Sequence, residues 1–185
     1  NAERVAKLFL TKSAWAMILA PLVALLGLPY PFLPRHITLA GSLSIGIPGF
    51  FLALMPNPRL YRPGFVERTL RFAVPAGSVI AAAVLGTTLV AERAGMSTAH
   101  VQTMATLVLT LTGLGVITIL EWPLSGWRAA VVSAMAAGLA FALAIPFVRE
   151  FFALVLPTAA ELATALAVAA LATGTIAVIT ARVRH

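Results

Sequence analysis

The residues best suited to chemistry lie in one short segment, GSLSIGIPGFF, at positions 41–51. Gly46 and Pro48 interrupt a stretch that is otherwise apolar enough to cross a membrane. Because proline has no N–H and crowds the preceding turn, the carbonyls near Ser44 lose their usual hydrogen-bond partners. An unwound turn with the hydroxyls of Ser42 and Ser44 would present oxygen ligands, which Na⁺, K⁺ and Ca²⁺ prefer. The alternative is a plain proline kink, which membrane helices tolerate.

Lys12 is a second candidate. A lysine inside a membrane helix is costly and marks a functional site, here as a built-in positive charge. If the first helix begins near Val5, Lys12 lies well inside it. Otherwise the side chain reaches back to the cytoplasmic interface.

The other polar residues are interpreted more plainly. Glu121 ends an apolar stretch beside Trp122 and is predicted to be a solvated loop acid rather than a cation ligand. Four threonine hydroxyls either line a pathway or pack between helices, namely Thr106, Thr110, Thr112 and Thr118. The three histidines, His36, His100 and His185, show no metal-binding spacing.

The composition determines the class of protein. Of 185 residues, 61% are hydrophobic and only 10% are charged, and the mean hydropathy is +0.99. Soluble domains are far less apolar, and disordered chains need low hydrophobicity, so both classes are excluded. The chain has no cysteine, and its six acidic residues are all glutamates, so it contains no aspartate-based phosphoryl-transfer site. The net charge of +7 indicates a membrane protein rather than a nucleic-acid-binding one.

Six apolar stretches are long enough to cross a bilayer. They are residues 13–32, 37–55, 72–91, 101–120, 129–147 and 162–181. They predict an all-α polytopic bundle of six transmembrane helices over residues 13–185, preceded by a cytoplasmic stalk at residues 1–12. No signal peptide is evident, and the opening Asn1 suggests a piece of a longer protein.

The basic residues predict the orientation of the bundle. Ten Arg and Lys residues fall on the side of the termini and three on the other, so both termini are expected in the cytoplasm. Arg62 and His185 are then cytoplasmic, and His36 and His100 extracytoplasmic. We expect an integral protein of a bacterial plasma membrane.

Three sequence features, in this order, resemble the fifth to tenth transmembrane helices of a P-type cation-transporting ATPase. They are the opening NAERVAKLFLTK, the Pro-rich turn PYPFLP, and the broken helix that leads to MPNPRLYRPG. The resemblance covers essentially the whole chain and is most specific in its first third. It is closest to the actinobacterial metal-cation pumps related to calcium ATPases.

The resemblance implies that this chain is the membrane-embedded part of an ATP-driven cation pump. Its partners would be the transported cation, membrane lipid, and the first four transmembrane helices and cytoplasmic domains of the same pump, with no nucleic acid. ATP and Mg²⁺ would bind in those domains, and no cofactor is expected in this chain. The DKTGT motif, nucleotide pocket and actuator loop of the family are absent here, so this chain alone is expected neither to bind nor to hydrolyse ATP.

The resemblance also suggests site residues. In calcium pumps the broken helix has the approximate pattern N-x-x-T-D-G-x-P, which places Gly41 at the Asn, Ser44 at the Thr and Ile45 at the Asp. By the same comparison, Ser13 takes a ligand position on the fifth helix, and the glutamate of the eighth helix falls near Thr112 or Gly113. The implied metal candidates are Ser44, Gly46 and Ser13, and the implied pathway or gating residues are Gly41, Ser42, Ile45, Pro48, Lys12 and Thr112. A site with so few acids leaves the identity of the cation open.

Two other classes of function are alternatives to a pump. A self-contained six-helix transporter or channel without ATPase activity would also use a broken helix and an even number of spans. A membrane-embedded lipid enzyme lacks a catalytic cluster in this sequence. A DKTGT motif followed by GDGxND in the upstream coding sequence would decide for the pump.

Overall fold

The structure is a computed structural model that describes residues 2–54, 64–124 and 126–182, except for the side chain of Leu52. These residues form helices joined by short connections, without a strand among them, and the predicted all-α class is confirmed. The helices are α1 (Ala2–Leu25), α2 (Pro34–Gly41), a π-helical segment (Ser42–Gly46), α3 (Ile47–Leu54), α4 (Phe65–Arg93), α5 (Thr98–Glu121), α6 (Trp127–Ala144), α7 (Pro146–Phe151) and α8 (Ala159–Arg182). Arg62 and His185, used above for the orientation, lie outside the described residues.

Five of these helices are long and apolar enough to cross a membrane: α1, α4, α5, α6 and α8. They correspond to five of the six predicted stretches. The remaining stretch, residues 37–55, consists of α2, the π-helical segment and α3 in direct succession, each too short to span alone. The chain therefore has the helices of an integral membrane protein.

Two helices end before the predicted spans do, and local backbone chemistry explains both ends. The predicted stalk and first span form one helix that ends at Leu25 rather than at residue 32, because Gly27 adopts a left-handed conformation with φ of 63°. Its N–H donates to the Ala24 carbonyl, and the next N–H donates to the Val23 carbonyl, which satisfies the last turn. The predicted fifth span, 129–147, ends at Ala144, because the residue before Pro146 is extended.

The core is built around α5, the most enclosed of the long helices. α5 packs against α4 and α8, and α1 lies along α4. The crossing of α1 and α4 is unusually close at Gly77, where a Cβ atom would lie 2.5 Å from the Cβ of Ala14 and 2.8 Å from the backbone nitrogen of Trp15. The broken helix is held between α1, α5 and α6. Because α6 and α8 leave much of their apolar surface uncovered, these faces are suited to lipid or to further helices.

Candidate ion pathway at the broken helix

The break near Pro48 is a π-helical turn. The N–H of Ile47 donates to the carbonyl of Ser42, five residues earlier, and the backbone stays helical from Pro34 to Leu54. The expected unwound turn is therefore wrong, because the helix accommodates the proline by widening instead of opening. Pro48 still provides no N–H for the carbonyl of Ser44, four residues before it, so that oxygen lacks its α-helical donor.

Ser44 lies inside the protein at this turn. Its side chain is buried, and its hydroxyl donates to the carbonyl of Ala40 at 2.5 Å. Gly113 of α5 is in contact with it, since a Cβ on Gly113 would fall 2.9 Å from Oγ of Ser44. The hydroxyl hydrogen is thus engaged, whereas the oxygen can still accept from a donor or coordinate a cation.

Lys12 points at the same turn. It lies about 15 Å along α1 from Ala2, at a rise of about 1.5 Å per residue. Its Nζ lies 3.4 Å from the position that a Cβ on Gly41 would occupy. The ammonium therefore reaches sideways to the start of the π-helical segment. Within the described part of the chain, no carboxylate lies within 4.0 Å of it.

A small cavity of about 20 Å³ separates α1, the π-helical segment and α5. Its polar lining comes from Thr11, Lys12 and Ser44, and Trp15, Ile45 and Gly113 also contribute to its wall. The volume is sufficient for one water molecule. Oγ1 of Thr11 is buried and has no hydrogen-bond partner among the described residues. Sequence reasoning missed Thr11, although a hydroxyl next to Lys12 at the same depth was the available signal.

The structure brings together only some of the predicted site residues. Lys12, Ser44 and Ile45 line this hollow, and together with Gly41 they also line a second, neighbouring one. Ser13 is exposed on α1, where its hydroxyl donates to the carbonyl of Phe9 at 3.2 Å. The assignment of Ser13 as a ligand stays a prediction.

The remaining candidates lie beside this hollow. Gly46 is exposed and Ser42 is half-buried, while Pro48 is buried. Thr112, next to Gly113, is fully buried, and its Oγ1 has no hydrogen-bond partner within the part of the chain that the structure describes. The three other threonines of α5 donate to carbonyls of their own helix; they are Thr106, Thr110 and Thr118.

Acidic residues are not gathered at this site. Among the described residues, no three His, Cys, Asp or Glu side chains converge to hold a metal ion. Glu121 is at the far end of α5, where it is only 1% exposed and pairs with Arg4 at 3.0 Å and with Arg128 at 3.3 Å. Its interpretation as a solvated loop acid is wrong, because two arginines from other helices close over it.

The chain is similar to curated proteins over most of its length. It is 38% identical to the calcium-transporting ATPase CtpE of Mycobacterium bovis over 95% of this chain and 24% of that protein. The CtpE protein of Mycobacterium tuberculosis gives the same figures. This chain is a homologue of part of a P-type ATPase.

The CtpE protein of Mycolicibacterium smegmatis is 34% identical over 83% of the chain and 21% of its own length. The chain thus spans about a quarter of the curated relatives that it matches, and the resemblance to the P-type cation-transporting ATPases is confirmed. No family model and no solved structure matches the chain.

Proposed function

We propose that this chain is the membrane part of an ATP-driven cation pump, with its ion pathway beside the broken helix. The observation that carries the proposal is the polar hollow of Thr11, Lys12 and Ser44 at a π-helical turn, inside a predominantly apolar bundle. Polar groups in such a setting are expensive unless they serve a function. Similarity to proteins named as calcium-transporting ATPases makes Ca²⁺ the first cargo to test.

The proposed topology has six spans, and residues 37–54, from α2 through the π-helical segment to α3, form the second. Both termini then face the cytoplasm of a bacterial cell, and the membrane is the plasma membrane. Two side-chain pairs support this topology, because each pair joins two residues that the topology places on the same side of the membrane. Glu3 contacts Arg68 on the proposed cytoplasmic side, and His100 contacts Glu161 on the other.

Oxygen atoms of the broken helix are the cation ligands that this chain contributes. The carbonyl of Ser44 lacks its helical donor, and its hydroxyl oxygen lies at the cavity wall. These are hard neutral ligands, suited to Ca²⁺ or to an alkali ion. Neutral oxygens alone do not balance a divalent charge, so carboxylates from the first four helices of the pump complete the site.

Lys12 sets the charge of the site. Two unit charges about 4 Å apart interact by roughly 4 kcal/mol at an effective dielectric constant near 20. A protonated Lys12 therefore opposes cation binding until an acidic group balances it or the side chain moves away. We assign to Lys12 the role of a built-in positive charge that weakens cation affinity in one state of the transport cycle.

ATP would be bound and hydrolysed with Mg²⁺ by the cytoplasmic domains of the pump. Their movement would reach the site through α1, which continues without a break from the predicted stalk to Lys12 and Trp15. The self-contained channel is the less favoured function, because the chain aligns along most of its length with part of much larger ATPases.

The test is cation-dependent ATPase activity of the full-length pump, titrated with Na⁺, K⁺, Mg²⁺, Ca²⁺ and Mn²⁺. Pro48→Ala should restore a regular helix and lower transport. Ser44→Ala should weaken apparent cation affinity by roughly fivefold, the equivalent of one hydroxyl interaction of about 1 kcal/mol. Ser133→Ala is the control, because Ser133 is exposed on α6. If the cation activation curves of the ATPase were unchanged for both Pro48→Ala and Ser44→Ala, the turn at Pro48 would be only a structural kink.

Two further variants test the charge of the site. Lys12→Met keeps the length of the side chain and removes the ammonium, so apparent cation affinity should rise. Ser44→Asp adds a carboxylate beside the same turn and should shift selectivity toward divalent ions. Loss of affinity in Lys12→Met, with folding intact, would contradict the proposed role of Lys12.

A further inference from the structure

The first two turns of α1 are bound to the rest of the bundle by two groups of ion pairs. Glu3 pairs with Arg68 of α4 at 3.0 Å and with Lys7 of its own helix at 2.9 Å. One residue later, Arg4 pairs with Glu121. Neighbouring residues thus attach the start of α1 to two different parts of the bundle.

Glu121 is the centre of the second group. It is the last residue of α5, and its carboxylate contacts Arg4 of α1 and Arg128 in the first turn of α6. Its side chain is 1% exposed, compared with 18% for Arg4 and 34% for Arg128. A carboxylate buried to this extent is stable only when paired, and removal of a partner is strongly destabilising. The three helix ends are therefore bound together through one side chain.

This cluster is aligned with the candidate ion pathway. Arg4 precedes Lys12 by eight residues, and Glu121 follows Gly113 by eight residues. At about 1.5 Å per residue, both connections are about 12 Å long. Lys12 and Gly113 both line the same cavity. The Arg4–Glu121 ion pair thus joins α1 and α5 at about the same distance from the cavity along each helix.

We propose that Glu121 is a positioning residue that couples the two helices. By holding the first turns of α1 against α5 and α6, it makes a displacement of α1 move both walls of the cavity together. Without the ion pair between Arg4 and Glu121, α1 would bend or slide along α4, and the cavity wall formed by α5 would remain in place. The proposal rests on the proposed function, since the displacement of α1 comes from the ATP-driven domains of the pump.

The central variant is Glu121→Gln in the full-length pump, which keeps the volume of the side chain and removes its charge. Glu67→Gln is the matched control, because Glu67 forms an exposed pair with Arg71 within α4. Two quantities are measured: amide hydrogen exchange over residues 2–8, and the number of cations transported per ATP hydrolysed.

We expect Glu121→Gln to speed exchange over residues 2–8 and to lower the transport ratio by roughly threefold or more, a typical scale for lost coupling. Glu67→Gln should change neither quantity. Arg4→Gln should behave like Glu121→Gln, whereas Arg4→Lys should retain most of the ratio because it keeps a positive charge. If Glu121→Gln does not fold, the comparison of the two Arg4 variants carries the test.

Three results would overturn the proposal. Unchanged exchange over residues 2–8 would show that Glu121 does not hold α1. Faster exchange with an unchanged number of cations transported per ATP would show that the ion pairs of Glu121 do not couple the helices. A parallel loss of ATPase activity and transport would show that Glu121 has a structural role only. A wild-type pump without cation-stimulated ATPase activity would instead refute the proposed function. The exchange measurement would still test whether Glu121 holds the start of α1.

Discussion

Gly113 of α5 lies directly against Ser44 of the π-helical segment. A Cβ atom on Gly113 would come within 2.6 Å of the Cβ of Ser44. The broken helix and α5 can approach this closely because a side chain is missing at the contact. The proximity places the Ser44 oxygen at the cavity wall.

Gly113→Ala should therefore push the two helices apart. Overpacking of this kind typically lowers the free energy of unfolding by about 1–3 kcal/mol. The measurement is thermal unfolding of the full-length pump in detergent, together with cation affinity. Gly86→Ala is the control, because a Cβ on Gly86 within α4 meets nothing within 4 Å. Equal thermal stability of the two variants would contradict the close contact.

Gly77→Ala should be more damaging than Gly113→Ala. Its new Cβ would meet the backbone nitrogen of Trp15 at 2.8 Å, and a backbone atom cannot turn away as a flexible side chain does. We expect a lower midpoint of thermal unfolding and less pump in the membrane. Gly174→Ala in α8, where a Cβ meets nothing, serves as the control. A Gly77→Ala pump as stable as the wild type would mean that α1 and α4 pack less tightly than described.

His36 predicts a pH-dependent contact at the proposed extracytoplasmic end. Its Nδ1 accepts from the Leu33 N–H at 3.1 Å, and its Nε2 lies 3.3 Å from the Ala153 carbonyl, so a neutral ring satisfies both bonds. Burial lowers the pKa of His36, an effect that outweighs the bond to Ala153, and Arg35 lowers the pKa further.

Below a pH of about 6.5 the imidazole of His36 gains a proton in the unfolded chain, whereas the folded chain opposes this protonation. Stability should therefore be greatest above that pH and should fall as the pH drops toward the lowered pKa. The measurement is the unfolding midpoint between pH 5 and pH 8. His36→Asn keeps an acceptor for Leu33 but does not titrate, so this variant should lose part of the pH dependence. An identical pH profile for His36→Asn would exclude His36 as the source.

The proposed orientation is tested by single-cysteine labelling. This chain has no cysteine of its own, so each introduced thiol reports one position. In intact cells, a thiol at Ser97 should react with a membrane-impermeant reagent, and a thiol at Glu67 should react only after the membrane is opened. Both positions are exposed. Labelling of position 67 from outside would invert the topology.

The sequence by itself determined the helical class, the apolar stretches and the irregular turn at Pro48. These follow from local properties, since a long apolar run must hydrogen-bond internally in a membrane and proline removes a donor wherever it stands. The span ends at Gly27 and Pro146 were missed because apolar length alone ignores the chemistry of helix termination.

Only the tertiary structure decided the surroundings of Lys12, Thr11 and Glu121. Whether an ionic side chain reaches water, a cavity or a partner depends on which helices lie opposite it, and residues far apart in the chain determine that. The ammonium of Lys12 lies beside Gly41, 29 residues away in the sequence. Glu121 became buried because Arg4, 117 residues away in the sequence, lies within hydrogen-bonding distance of its carboxylate.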